Sequence, residues 1–247
     1  MVNEPAIVFD QAVVGYHLRQ RNEIILSELN FALEHGELVG AVGLNGSGKS
    51  TLLRSIAGLQ PVLSGRILIE GKTVSAHTSN GLAKKVAVVL TERIGGFNLN
   101  VTDLVATGQM PYTDGFHRLE ESHRRAIKNA MDRCGVSTYS EKNVAELSDG
   151  MFQKTMIARA MAQQTPVMLL DEPTAFLDYA SRHVLFQLLK DLCRDEKKCV
   201  MVTSHDLDLL LKYCDKILIV RNGSATLCTV GSAKNDPGFM EIAGGYL

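Results

Sequence analysis

The stretch Gly43-Leu44-Asn45-Gly46-Ser47-Gly48-Lys49-Ser50-Thr51 constrains this chain more than any other feature. It fits G-x-x-x-x-G-K-[ST] at every required position. The short apolar run at 37–42 precedes it, and helix-forming residues follow, so the turn joins a strand to a helix. Glycines let such a turn curl until successive backbone N–H groups face one anion. The helix opening near Lys49 adds the positive end of its dipole. Lys49 supplies a point charge for β- and γ-phosphates. Ser50 offers a hydroxyl to Mg2+, which favours hard oxygen ligands. The plainer alternative is an ordinary glycine turn before a helix.

A second feature sits far downstream, where the apolar run Val167–Leu170 ends in Asp171 and Glu172. A buried strand ending this way places both carboxylates at the C-terminal edge of a sheet, where open α/β sheets bind ligands. Asp171 suits a magnesium ion. Glu172 suits the polarising of an attacking water, a general-base role. The alternative is a helix N-terminus that merely favours acids.

The rest of the pattern supplies a frame for these two features. Segments 7–16, 24–33, 66–70 and 85–90 read as strands, and 52–58 as a helix stopped by glycine. Segments 119–134 and 149–164 carry apolar residues at helical spacing, so residues from about 92 to 162 read as a helical insert. Strand–helix alternation then returns. Strands are expected at 167–170, 200–203 and 216–220, and helices at 179–193 and 207–213. The second strand group implies a mainly parallel sheet covered on both faces, hence an α/β fold. The last dozen residues give weak signals.

With 45% hydrophobic and 21% charged residues, a packed core is expected. A formal net charge of −1 offers no basic field for nucleic acid and no polybasic run for anionic lipid. The five cysteines, Cys134, Cys193, Cys199, Cys214 and Cys228, form no CxxC pair and no zinc spacing. They read as reduced thiols of a cytosolic protein. The opening MVNEPAIVFD has neither the basic start nor the apolar stretch of a signal peptide. The longest apolar runs are strand-sized, whereas a span needs about 20 residues. Any membrane role is therefore expected to come through a partner.

Over about residues 6 to 230 the chain resembles the ATP-binding subunits of ABC transporters. Five motifs stand in that family's order. The Walker A motif is 43–51, and the signature is Leu147-Ser148-Asp149-Gly150-Met151. The Walker B strand ends at Asp171 and is followed by Glu172. The D-loop is Ala175-Phe176-Leu177-Asp178, and the switch histidine is His205 in Ser204-His205-Asp206. The resemblance implies the ABC ATPase fold. That is a P-loop NTPase core with a mainly parallel sheet, an antiparallel β part near the N-terminus, and an inserted helical subdomain. It implies one domain over 1–247, with the nucleotide-binding core at 1–91 and 163–247 and the helical subdomain at 92–162.

The resemblance also implies an ATPase working as a homodimer around two ATP molecules with Mg2+. Residues 43–51 would hold the phosphates, and Ser148, Asp149 and Gly150 would reach the partner's ATP. Lys49, Glu172 and His205 would form the catalytic set, with His205 fixing the water at the γ-phosphate. Ser148 precedes a helix, so it is also an expected N-cap. Asp178 would bridge the dimer or, alternatively, cap the helix after it. Tyr16 would stack on adenine, or is a plain strand-end tyrosine. Ser50, Asp171 and Glu92 would contact the metal. Glu92 stands where the family usually has glutamine, and Asp149 and Met151 replace the second glycine and the glutamine of the usual LSGGQ.

Within the family, Gly108-Gln109-Met110-Pro111-Tyr112 is similar to a segment of importers for iron–siderophore, haem and cobalamin, with Gln109 in place of arginine. The resemblance thus implies a peripheral subunit on the cytoplasmic side of the inner membrane. It would power transmembrane permease subunits served by a solute-binding protein, without nucleic acid. Import of another small solute such as a metal ion, a non-transport ABC ATPase acting on nucleic acid or the ribosome, and an idle binding module are the alternatives.

Overall fold

The computed structural model describes residues 4–19, 21–90, 98–113 and 118–244. Its strands are β1 (Ile7–His17), β2 (Asn22–Leu33), β3 (Leu38–Val42), β4 (Val62–Ile69), β5 (Lys72–Thr73), β6 (Val86–Val89), β7 (Val167–Leu170), β8 (Cys199–Thr203), β9 (Lys216–Arg221) and β10 (Ser224–Thr229). Its helices are α1 (Lys49–Ile56), α2 (Ser79–Ala83), α3 (Val101–Ala106), α4 (Glu121–Cys134), α5 (Asp149–Ala162), α6 (Tyr179–Glu196), α7 (Leu207–Tyr213), α8 (Val230–Ala233) and α9 (Pro237–Gly244).

The strands form two sheets. One is antiparallel in the order β2-β1-β4-β5. The other runs β10-β9-β3-β8-β7-β6, with every neighbouring pair parallel except β9 and β10. The central strands read as continuous apolar runs because both faces are covered. Alternate residues enter different cores. Leu38, Met168, Leu170, Val200 and Val202 face the helices that include α4, α5 and α6. Val39, Val167, Leu169, Cys199 and Met201 face α1 and the antiparallel sheet, against Phe9, Leu26, Leu29 and Ile67. Truncating one such fully buried leucine to alanine removes about 2–5 kcal/mol, so this double core fixes where the strand ends lie.

The observed boundaries depart from the sequence reading in instructive places. The helix expected at 52–58 begins three residues earlier, directly after the glycine turn. The strand expected at 66–70 starts at Val62, and the helix expected to stop at 193 continues to Glu196. It ends where Lys197 turns left-handed. The weakly patterned last dozen residues contain α9, and β10 and α8 precede it in a stretch for which no element was expected. β10 is an edge strand of mixed exposure with few strong β-formers, so its pairing with β9 rather than local propensity defines it. Among the described residues, no helix is long and apolar enough to cross a membrane.

Candidate active site

Three neighbouring parallel strands deliver the site at one sheet edge. β3 runs into the glycine turn, β7 into Asp171 and Glu172, and β8 into Ser204 and His205. Together they open a cavity of about 330 Å³. It is lined by residues 45–51 with Tyr16, Asp171, Glu172 and His205. The structure thus brings most of the expected nucleotide and catalytic residues together. Gly43 and Leu44 join through their carbonyls, which accept from Lys49 Nζ at 2.6 and 3.3 Å.

The turn is built for close backbone approach. Gly48 precedes α1 with φ +107°, and a Cβ there would stand 2.6 Å from Ile25 Cγ2. Only glycine meets both demands. The Ser47 hydroxyl is buried without a hydrogen-bond partner among the described residues. A buried polar atom left this way costs about 1–3 kcal/mol, and an anion cradled by the turn would satisfy it. Tyr16, next to last in β1, sets its hydroxyl 3.1 Å from Thr51 Oγ1 in the first turn of α1.

The acid pair is organised by a residue that the sequence reading passed over. Thr203, fully buried at the end of β8, donates from Oγ1 to Asp171 Oδ1 at 2.7 Å. The same oxygen accepts the Glu172 N–H at 2.8 Å. Threonine at a strand end reads as ordinary β-former, and only the register of β7 against β8 reveals this bridge. Glu172 itself has φ +47°, an uncommon conformation for a non-glycine residue that costs on the order of 1–3 kcal/mol. The surrounding bonds hold it there.

Electrostatics set the protonation states. Burial pushes the Glu172 carboxyl up to about 7; Lys49 opposes this, Asp171 reinforces it, and the His205 backbone N–H opposes it. Glu172 Oε1 lies 3.1 Å from His205 Nε2. Burial lowers the His205 pKa, with Lys49 lowering it further and Asp171 countering. Burial also lowers that of Lys49, against Glu172 and Asp171. A weak acid and a neutral imidazole with separated affinities suit proton chemistry near neutral pH.

The signature and D-loop residues lie elsewhere. Ser148 caps α5, accepting the Met151 N–H at 3.3 Å, and Asp178 caps α6, accepting the Ser181 N–H at 2.7 Å. Together with Asp149 and Gly150 they line a second cavity of about 390 Å³, which among the described residues shares no lining residue with the first. The capping alternatives for Ser148 and Asp178 are therefore real structural roles. Glu92 lies outside the described residues.

A further cavity, of about 720 Å³, is distinct from both. It lies between the turn after α1, β4, α2, β6 and the end of α5, and its lining includes the guanidinium groups of Arg66 and Arg159. Beside it, the segment 108–112 closes on the end of α5. Gln109 is buried and donates from Nε2 to the Ala162 carbonyl. Arg159 Nε donates to Thr107 Oγ1 at 2.9 Å.

The comparisons agree with this architecture. The ABC transporter family model matches residues 26–175. The chain is 40% identical to an uncharacterized ABC transporter ATP-binding protein of Methanocaldococcus jannaschii, over 85% of this chain and 71% of that protein. It is 36% identical to a cobalamin import ATP-binding protein of Halobacterium salinarum over 85% of its length, but spans only 52% of that protein. It is 31% identical to the iron(3+)-hydroxamate import ATP-binding protein of Bacillus subtilis, over 87% of this chain and 78% of that one. A bacterial ABC transporter cassette solved as a dimer shares the fold, with TM-score 0.81 at 24% identity, covering 91% of this chain and 98% of that one. This chain belongs to the ABC transporter family, as one of its ATP-hydrolysing cassettes.

Proposed function

We propose that this ATPase powers the import of a chelated metal or corrinoid, namely an iron–siderophore complex, haem or cobalamin. The relatives named for iron(3+)-hydroxamate and cobalamin import support that solute class. So does the segment 108–112, packed against the end of α5 beside the 720 Å³ cavity. That groove would receive a helix of a transmembrane permease, with a solute-binding protein acting on the far side. The subunit would then sit peripherally on the cytoplasmic side of the inner membrane. Residues 1–91 and 163–247 would form the nucleotide-binding core and 92–162 the helical part against which the permease moves.

The observation that carries the chemistry is the meeting of Lys49, Asp171, Glu172 and His205 at one cavity, while Ser148, Gly150 and Asp178 line another. One chain then holds each half of an ATP site but does not join them. Two copies placed head to tail would complete two sites, so ATP would drive pairing. Within each site, residues 43–51 would hold the phosphates by backbone N–H groups and Lys49, and Tyr16 would stack on the base.

Ser50 and Asp171 would hold Mg2+. The fit rests on hard oxygen donors and on an Asp171 carboxylate already oriented by Thr203. Bound there, the cation would offset the negative charge of the triphosphate. Glu172 would accept a proton from the attacking water, and His205, neutral near pH 7, would orient that water at the γ-phosphate. Glu92 would add a metal contact in place of the usual glutamine.

The test is reconstitution in lipid with the permease that co-purifies with the chain. Uptake of one of these solutes should require ATP, and solute-loaded binding protein should raise ATPase turnover. Co-purification with no polytopic membrane protein, together with stimulation by nucleic acid, would defeat the proposal.

A further inference from the structure

Asp178 and the signature turn are separated in sequence, and capping accounts for each alone. It does not account for their contact. Gly150, in the first turn of α5, lies against the D-loop backbone. A Cβ there would stand 2.8 Å from the Phe176 carbonyl oxygen and 3.6 Å from Leu177 Cδ2. Lys154 follows four residues later on the same face of α5. Its Nζ donates to Ser181 Oγ at 3.1 Å. The Ser181 hydroxyl donates onward to Asp178 Oδ2 at 3.2 Å, while the Ser181 backbone N–H holds the other carboxylate oxygen. These bonds and the Lys154 charge keep the Asp178 carboxyl below the usual carboxylate range. An unbroken chain of donors therefore runs from the signature helix to the D-loop acid, across the cavity that both line.

We propose that Lys154 is a positioning residue that ties Asp178, through Ser181, to the signature turn, so that each subunit presents both to its partner as one rigid unit. This rests on the reading that Ser148, Gly150 and Asp178 meet the partner's nucleotide. A single part-buried hydrogen bond from lysine to a hydroxyl adds only a little to the stability of a whole fold. Its effect belongs to association, where ordering loops in advance lowers the cost of binding. The tie also explains the glycine at 150 by packing within one subunit, separately from any contact with phosphate.

The test uses the full chain carrying Glu172→Gln, which should pair with ATP without consuming it. Pairing is followed by sedimentation, and nucleotide binding to the monomer by a fluorescent ATP analogue. Lys154→Met keeps the aliphatic stem and removes the donor. It should raise the protein concentration for half-maximal pairing about tenfold, an order-of-magnitude figure for lost preorganisation. Monomer nucleotide affinity and Tm should stay at parent values. Ser181→Ala should act alike, and the double variant should lose no more than the worse single one, because both cut one chain. Lys154→Arg should restore pairing.

Parent-like pairing by Lys154→Met, or additive losses in the double variant, would overturn the proposal. Should Lys154→Met melt early, Ser181→Ala beside Lys154→Arg decides the matter. Loss in the first with retention in the second supports the tie, and parent-like pairing in both overturns it. Failure of the Glu172→Gln parent to pair at all would instead break the underlying reading, and the proposal with it.

Discussion

Glu172 Oε1 and His205 Nε2 stand 3.1 Å apart at the ends of β7 and β8. Neither side chain alone determines that distance. The parallel register of the two strands does, together with Thr203, which grips Asp171 and the Glu172 backbone at once. Burial then favours the neutral form of each, raising the pKa of Glu172 and lowering that of His205. Near neutral pH the carboxyl can exchange its proton and the imidazole is uncharged.

The first prediction concerns rate against pH. A base must be ionised to act, and Glu172 ionises at about 7 in the free protein. kcat/KM for ATP should therefore fall as pH drops through about 7, approaching tenfold per pH unit on the acid side. A steady-state series on the isolated cassette measures it. A flat profile from about pH 5.5 to 8.5 would separate Glu172 from proton transfer.

The same carboxyl affects stability. Its pKa is raised in the folded state, so it favours folding below its unfolded pKa, and that contribution is lost as pH rises from about 4.5 through about 7. Glu172→Gln removes the titration. The variant should melt several degrees above the parent at about pH 8, with the gap closing toward about pH 4.5. The scale is on the order of 3 kcal/mol. Thermal scans without nucleotide check it, and a constant gap across pH would contradict it.

Thr203→Val keeps shape but deletes the bridge between the acids. The Glu172 N–H then loses its acceptor and Asp171 Oδ1 a donor. Stability should drop by about 2–4 kcal/mol, the order expected for a buried donor and a charged acceptor left short. Turnover should fall more than monomer ATP affinity. Denaturant melts and paired binding and rate measurements distinguish this from a harmless substitution.

Much of this arrangement is legible in the chain, and the reasons differ by element. The glycine turn at 43–51 and the run Val167–Leu170 ending in acids declare themselves because their chemistry is local. The strand limits of β7 and the full extent of α7 match expectation, since continuous apolar runs and helical stripes follow periodicity. Thr203 stays hidden because its role exists only across two strands. So does the Lys154–Ser181–Asp178 chain, which joins α5 to α6. α9 is obscured by its glycines and a mixed pattern, yet Phe239 and Ile242 bury against the core.

Tyr16 offers a test of two readings left open by sequence. If its ring stacks on adenine, Tyr16→Ala should weaken ATP binding about 3- to 10-fold, as expected for losing one aromatic contact. Tyr16→Phe should change little, though it loses the 3.1 Å contact to Thr51. Equal affinity in all three proteins would make Tyr16 a strand-end residue only.

The central claim is that the acid at the tip of β7 drives hydrolysis at the glycine turn, and single-turnover measurement with Glu172→Gln tests it most directly. The variant should bind Mg·ATP and sediment as a dimer, while ATP cleavage falls by about 10²–10⁴-fold, the usual worth of a general base. Cleavage at the parent rate, with nucleotide still bound, would contradict the account.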